Sequence, residues 1–141
     1  MNSDLSMLQL LVLLVDIGLV VLIWMVQLII YPGFLFYKKE DLINWHKLYT
    51  IRIAIIVIPL MVIQLVFSIL QVYVQVNLAN LIPLFVVLFL WIFTFSSFAP
   101  LHFKITSAKA DKNLLCTLVK RNWIRTFLWS FLFLYHLYFL V

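Results

Sequence analysis

Four long apolar runs dominate the chain, separated by short stretches that hold most of its charge. Each run is about 20 residues or longer, the length a helix needs to cross a bilayer core. A transmembrane barrel would instead show segments of roughly ten residues, alternating apolar and polar. The runs predict helices over about 8–31, 42–74, 80–101 and 113–141, the second and fourth beginning in more polar sequence. The Tyr73–Asn80 connection is short, which makes the second and third helices antiparallel neighbours. The other two connections are longer and carry helical extensions, with Asp41 and Asp111 as reasonable N-caps. Pro32 and Pro100 are expected at the inner ends of helices one and three, and Pro59 predicts a kink in helix two. The expected fold is one all-α domain over residues 1–141, an integral membrane four-helix bundle with antiparallel, up-and-down connections.

Composition removes the alternatives. Apolar residues make up 67 % and charged residues 11 %, against the usual ~45–50 % and ~25 %. Ten basic and five acidic side chains cannot cover a soluble protein of this size, and a chain this apolar does not stay disordered. Soluble enzymes, nucleic-acid modules and disulfide scaffolds drop out; Cys116 has no second cysteine to pair with. The first run has no basic residues before it and no A-x-A site after it, so it is expected to remain in the mature protein.

All ten lysines and arginines fall at one end of the expected bundle: Lys38, Lys39, Lys47 and Arg52 between and at the ends of helices one and two, Lys104, Lys109, Lys112, Lys120, Arg121 and Arg125 likewise for helices three and four. The opposite end offers Asp4 and the uncharged Tyr73–Asn80 turn. The positive-inside rule puts the basic connections in the cytoplasm and both termini on the far side, with the bacterial inner membrane as the expected location. Pro32, Trp45 and Arg52 are echoed by Pro100, Trp123 and Arg125, with spacings that differ by several residues.

The costly groups inside the apolar runs follow the helical repeat. A mid-membrane Asp costs roughly 2.5–3.5 kcal/mol on insertion scales, so polar side chains should gather on one face. Positions 11 or 18 apart nearly superpose at about 100° per residue. Asp16 and Gln27, His46 and Gln64, Trp91 and His102, and Arg125 and His136 are so spaced. By depth they sort into two layers about 16 Å apart. The inner layer, near the basic end, holds Gln27, Tyr31, His46, Thr50, His102, Asn122 and Arg125; the outer holds Asp16, Gln64, Trp91 and His136. Asp16 and His136 are expected to pair, with Gln64 beside them. Gln27 and Gln64 also read as interhelical hydrogen-bond glue, and the tryptophans and phenylalanines as packing.

No metal-binding motif, C-x-x-C or glycine-rich phosphate loop is present. Several short pieces set the chain beside a known family: Gln27…Tyr31-Pro32, Trp45-His46-x-x-Tyr49, Pro59-Leu60-Met61, Pro100-Leu101-His102 and Asn122-Trp123-Ile124-Arg125-Thr126. Together they resemble the anthrone-oxygenase-like family of small four-helix membrane proteins. His102 stands where that family has an Asn. The resemblance implies an oxygenase of flat polycyclic aromatic substrates.

Four functions remain open at this stage. The first is a membrane oxidoreductase or oxygenase acting on a flat apolar aromatic or quinone-like molecule. His46 or His102 would be general base and Arg125 would hold the oxyanion, with Gln27, Tyr31, Thr50, Phe95, Phe98, Asn122 and Trp129 about the substrate. The second is a haem- or quinone-binding protein with His46 and His102 as axial haem ligands. The third is an accessory subunit of a larger membrane complex or homo-oligomer, its polar stripe serving helix packing alone. Asp16 by itself would suit a proton-coupled transporter.

Overall fold

The computed structural model describes residues 3–109 and 111–140, which are helical almost throughout. Helix α1 (Ser3–Met25) runs through a π-helical turn (Val26–Ile30) into the short α2 (Tyr31–Gly33) and a 3-10 turn (Phe34–Phe36). Helix α3 (Lys39–Val74) follows without a break at Pro59. Helix α4 (Leu78–Phe93) passes through a second π turn (Thr94–Phe98) into α5 (Ala99–Thr106), and α6 (Lys112–Leu140) completes the chain. Val141, expected to end the fourth helix, lies outside the described residues, as does the side chain of Asp4.

Pro32 and Pro100 do not end their helices as expected from sequence. Each sits two residues beyond the end of a π turn, and the chain stays helical to Phe36 and to Thr106. A proline lacks the amide that the carbonyl four residues back would receive, and its ring crowds that carbonyl. A wider turn relieves the conflict: the Tyr31 amide donates to Val26 O and the Ala99 amide to Thr94 O, each five residues back. The extra residue in the turn rotates everything beyond it by about 100° around the helix.

Capping sets the other boundaries. The Asn77 side chain accepts from the Asn80 amide at 2.8 Å and starts α4. The Asp111 carboxylate accepts from the Leu114 amide at 2.8 Å and starts α6. Asp41 is not the cap expected; α3 begins at Lys39 and places Glu40 and Asp41 in its first turn, where acidic groups favour the helix dipole.

The rods pack in alternating directions. Asp16, Trp24 and Gln27 meet His136, Ser130 and Asn122 of α6 in that order. Asp16 also meets Gln64, and Phe34 meets His46, so α3 descends along α1. Along the apolar stretches of the rods the polar groups point inward and many large apolar ones outward. Asp16, Gln27, His46, Gln64, Ser68, Asn122 and Thr126 are buried, while Leu14, Val21, Leu28, Ile55, Phe85, Ile92 and Phe127 are exposed. Such a distribution has no stabilising role in water and suits a hydrocarbon surround. Three rods, Met7–Phe36, Lys39–Val74 and Leu78–Thr106, are long and apolar enough to cross a membrane. The fourth, α6, is less apolar because Lys112, Lys120, Arg121, Arg125 and His136 lie on it.

Candidate functional site

Four side chains form a continuous hydrogen-bonded chain at the inner end. The Tyr31 hydroxyl lies 3.0 Å from His102 Nε2. His102 Nδ1 lies 2.8 Å from His46 Nε2, and His46 Nδ1 lies 3.0 Å from Thr106 Oγ1. The Thr106 hydroxyl donates to the His102 carbonyl at 3.0 Å. One assignment of protons satisfies every link: Tyr31 donates to His102, His102 to His46, and His46 to Thr106. The two imidazoles lie nearly parallel with centroids 5.0 Å apart, and Phe34 and Tyr49 close around them.

Beside this chain lies Arg125, only 7 % exposed. Its guanidinium carbon sits 4.4 Å from the Phe98 ring centre and 5.1 Å from that of Trp129. Its hydrogen-bond partner is Asn122 Oδ1 at 3.3 Å. No carboxylate pairs with it among the described residues, and its Nε–H is buried without an acceptor. Asn122 is held in turn by Gln27, whose Oε1 accepts from Asn122 Nδ2 at 2.9 Å and from the Thr126 hydroxyl at 3.5 Å. Gln27 Nε2 donates to the Val119 carbonyl at 3.4 Å.

A cavity of about 180 Å³ opens against these groups. Leu19, Ile23, Val57 and Met61 line its apolar body; Tyr31, Tyr49, His102 and Arg125 form its polar end; Phe98 and Trp129 flank the guanidinium. Phe95 and Ile58, both exposed, also line it, so its mouth lies on the apolar side of the bundle.

The outer layer is a second network. His136 Nδ1 meets Asp16 Oδ2 at 2.5 Å. Gln64 Nε2 donates to Asp16 Oδ1 at 2.6 Å, and Trp129 Nε1 donates to Gln64 Oε1 at 3.2 Å. Asp16 is 0 % exposed with both oxygens engaged. Trp129 therefore touches both layers, its indole N–H in the outer network and its ring beside Arg125.

The structure brings most of the sequence-selected residues together and separates a few. His46, His102 and Tyr31 share one chain; Arg125, Asn122 and Gln27 share another; Asp16, His136 and Gln64 share the third. His102, Tyr31, Phe95, Phe98, Arg125 and Trp129 line the cavity, whereas His46, Gln27 and Asn122 stand behind its wall. Thr50 does not reach the cavity, because its hydroxyl donates to the carbonyls of His46 and Lys47 in its own helix. Trp91 is also outside it, with its Nε1 buried and unpartnered. Sequence reasoning missed Thr106, although it stands four residues after His102, one turn along the same helix face. Ser68 and Gln71, four and seven after Gln64, carried the same signal. Tyr49 stood among the resemblance pieces without a role.

The inner histidines do not fit an axial pair for haem or a shared metal. Two imidazole ligands at about 2.0–2.1 Å each hold their nitrogens roughly 4 Å apart around the metal. Here the facing nitrogens are hydrogen-bonded at 2.8 Å, and the outer ones are held by Tyr31 and Thr106. No protein-family model matches the chain, and comparison with curated proteins and with solved structures finds no relative.

Proposed function

We propose that the chain is a four-helix, up-and-down bundle of the bacterial inner membrane, with its basic connections cytoplasmic and both ends of the chain on the other side. Its inner cavity then takes a flat, apolar aromatic or quinone-like molecule from the bilayer and oxidises it. The observation that carries this reading is Arg125: a buried guanidinium with no carboxylate partner among the described residues, held between two aromatic rings at the polar end of an apolar cavity. Leaving a charge so placed without a counter-ion is costly, and a ligand that is or becomes an anion there removes the cost.

The volume suits such a ligand. About 180 Å³ exceeds the ~150 Å³ engineered cavity that holds benzene. One ring fits inside, and the rest of a flat molecule continues past Phe95 towards the lipid. An acidic C–H or O–H at its buried edge meets the Tyr31 oxygen, which accepts the proton as its own passes to His102, the base of the pair. Arg125 holds the oxyanion, and Asn122 and Gln27 hold Arg125. The deprotonated, electron-rich ring is the form from which dioxygen takes electrons. The resemblance to the anthrone-oxygenase-like family agrees with that chemistry.

The test is dioxygen uptake by the protein in lipid nanodiscs over a panel of anthrones, hydroxynaphthoquinones and quinols. Turnover by wild type, reduced at least 100-fold in both His102→Ala and Arg125→Met, supports the reading; rates unchanged in both variants refute it. A second reading rests on the mutual satisfaction of Gln27, Asn122 and Thr126, which ties the first π turn to α6 and would serve an accessory subunit equally well. It expects a stable larger complex in mild detergent and tolerance of both substitutions.

A further inference from the structure

We propose that His102, His46 and Thr106 are a proton path from the cavity to the basic end of the bundle, so that a proton taken from a membrane-dissolved substrate leaves on one defined side. The proposal rests on the oxidation reading for the identity of the proton donor, and on the hydrogen-bonded chain for the path itself.

Every member of the chain can accept one proton while giving up another, the imidazoles at opposite nitrogens and the hydroxyls at a single oxygen, which proton relay requires. The outer network lacks this property: the amide of Gln64 and the indole of Trp129 donate without passing a proton on, so Asp16 and His136 are not wired to the cavity. At the inner end the order is complete. The substrate X–H bond breaks as the Tyr31 oxygen gains its proton, and the Tyr31 O–H proton moves to His102 Nε2. The His102 Nδ1 proton moves to His46 Nε2, and the His46 Nδ1 proton moves to Thr106 Oγ1. The Thr106 hydroxyl, which donates to the His102 carbonyl at rest, turns from it and gives its proton to water. The substrate keeps the electron pair of the broken bond, its anion faces Arg125, and rotation of the relay groups resets the chain.

The path has one mouth and one exit. Tyr31 and His102 line the cavity. His46 is fully buried and meets neither cavity nor solvent. Thr106 is the last residue of α5, half-buried, and is followed by Ser107, Ala108 and Lys109 at the end where the lysines and arginines gather. His46 and Thr106 are thus positioning and relay residues. His102 lines the cavity and takes the Tyr31 proton there.

The experiment is ¹⁵N-histidine NMR of the full chain in lipid nanodiscs, reading exchange of the ring N–H protons with water, with and without substitution at Thr106. Thr106→Val keeps the shape and removes the exit, so exchange at His46 and His102 slows at least tenfold; Thr106→Ser restores it. Equal exchange in wild type and Thr106→Val overturns the path, as does failure of the serine to restore it. If Thr106→Val does not fold, His46→Gln replaces it and must slow exchange at His102 by the same factor. These measurements need no substrate, so absence of turnover in wild type fails the oxidation reading without deciding the path. Where turnover is present, Thr106→Val lowers kcat with KM unchanged and alters the solvent isotope effect, which a purely structural threonine would not do.

Discussion

Replacing Arg125 by methionine separates a functional guanidinium from a structural one. On the favourable side stand two cation–π contacts, each about 1–2 kcal/mol when desolvated, and a charged hydrogen bond to Asn122, about 1.5–3 kcal/mol. Against them stand several kcal/mol for holding a guanidinium out of water without a carboxylate and about 1–3 kcal/mol for its orphaned Nε–H. The two sides nearly cancel, and methionine fills the same slot between Phe98 and Trp129. Arg125→Met therefore leaves the unfolding midpoint in nanodiscs within about 5 °C of wild type, at roughly 3–5 °C per kcal/mol for a chain of this length. Binding of an acidic hydroxynaphthoquinone behaves differently. It loses about 100-fold in affinity, the scale set by removing one donor from an oxyanion site. Trp129, in the cavity wall, reports the titration by fluorescence quenching. A midpoint drop above 10 °C with affinity retained would refute the reasoning and return Arg125 to helix packing.

Asp16→Asn and His136→Ala, singly and together, are expected to couple by about 1–3 kcal/mol in unfolding free energy, because each is the other's buried partner; additive effects would show that the contact has no energetic weight. Gln64→Leu strands Trp129 Nε1 and Asp16 Oδ1 at once and costs about 2–5 kcal/mol, whereas Ile56→Leu on the exposed apolar face costs less than about 0.5 kcal/mol. Equal destabilisation by the two would argue against the outer network as a structural element. In a Cys116→Ser background, Ala108→Cys and Gln75→Cys, both at exposed positions at opposite ends, test the orientation with a membrane-impermeant maleimide. Labelling of residue 75 alone in intact spheroplasts is expected, and labelling of residue 108 instead would invert the topology.

The helical rods and the pairing of their polar faces were legible because a polar group in an apolar helix has few tolerable places to point. Asp16 led to His136 and Gln64 on depth and phase alone, and His46 to His102 likewise. The π turns were not legible. Helical phase carried across residues 94–98 puts Trp91 and His102 on one face, yet the wider turn rotates His102 onto the cavity and leaves Trp91 off it. The same turn leaves Phe98 2 % exposed while Phe95 is 52 % exposed at the mouth. Proline served as a stop signal from sequence because its effect on a carbonyl four residues earlier is clear, whereas repair by a wider turn depends on packing that periodicity does not carry. Thr50 misled for a related reason: its hydroxyl satisfies itself on its own helix, which a face assignment does not reveal.

The contact between Asp16 and His136 spans 120 residues of chain, and this bears on how the protein is made. Synthesis runs at about 5–20 residues per second, so the carboxylate precedes its imidazole partner by roughly ten seconds. During that interval, in the proposed membrane setting, the first helix carries an unpaired Asp at a cost of about 2.5–3.5 kcal/mol. Gln64 emerges partway and offers one amide donor. The apolar run Met7–Phe36 holds the nascent first helix in lipid in spite of that cost, and insertion finishes as a closing of the two end helices upon each other. A ribosome stalled before codon 136 leaves a product whose Asp16 has no imidazole partner, so the inside of the bundle is electrically complete only once the fourth helix is made.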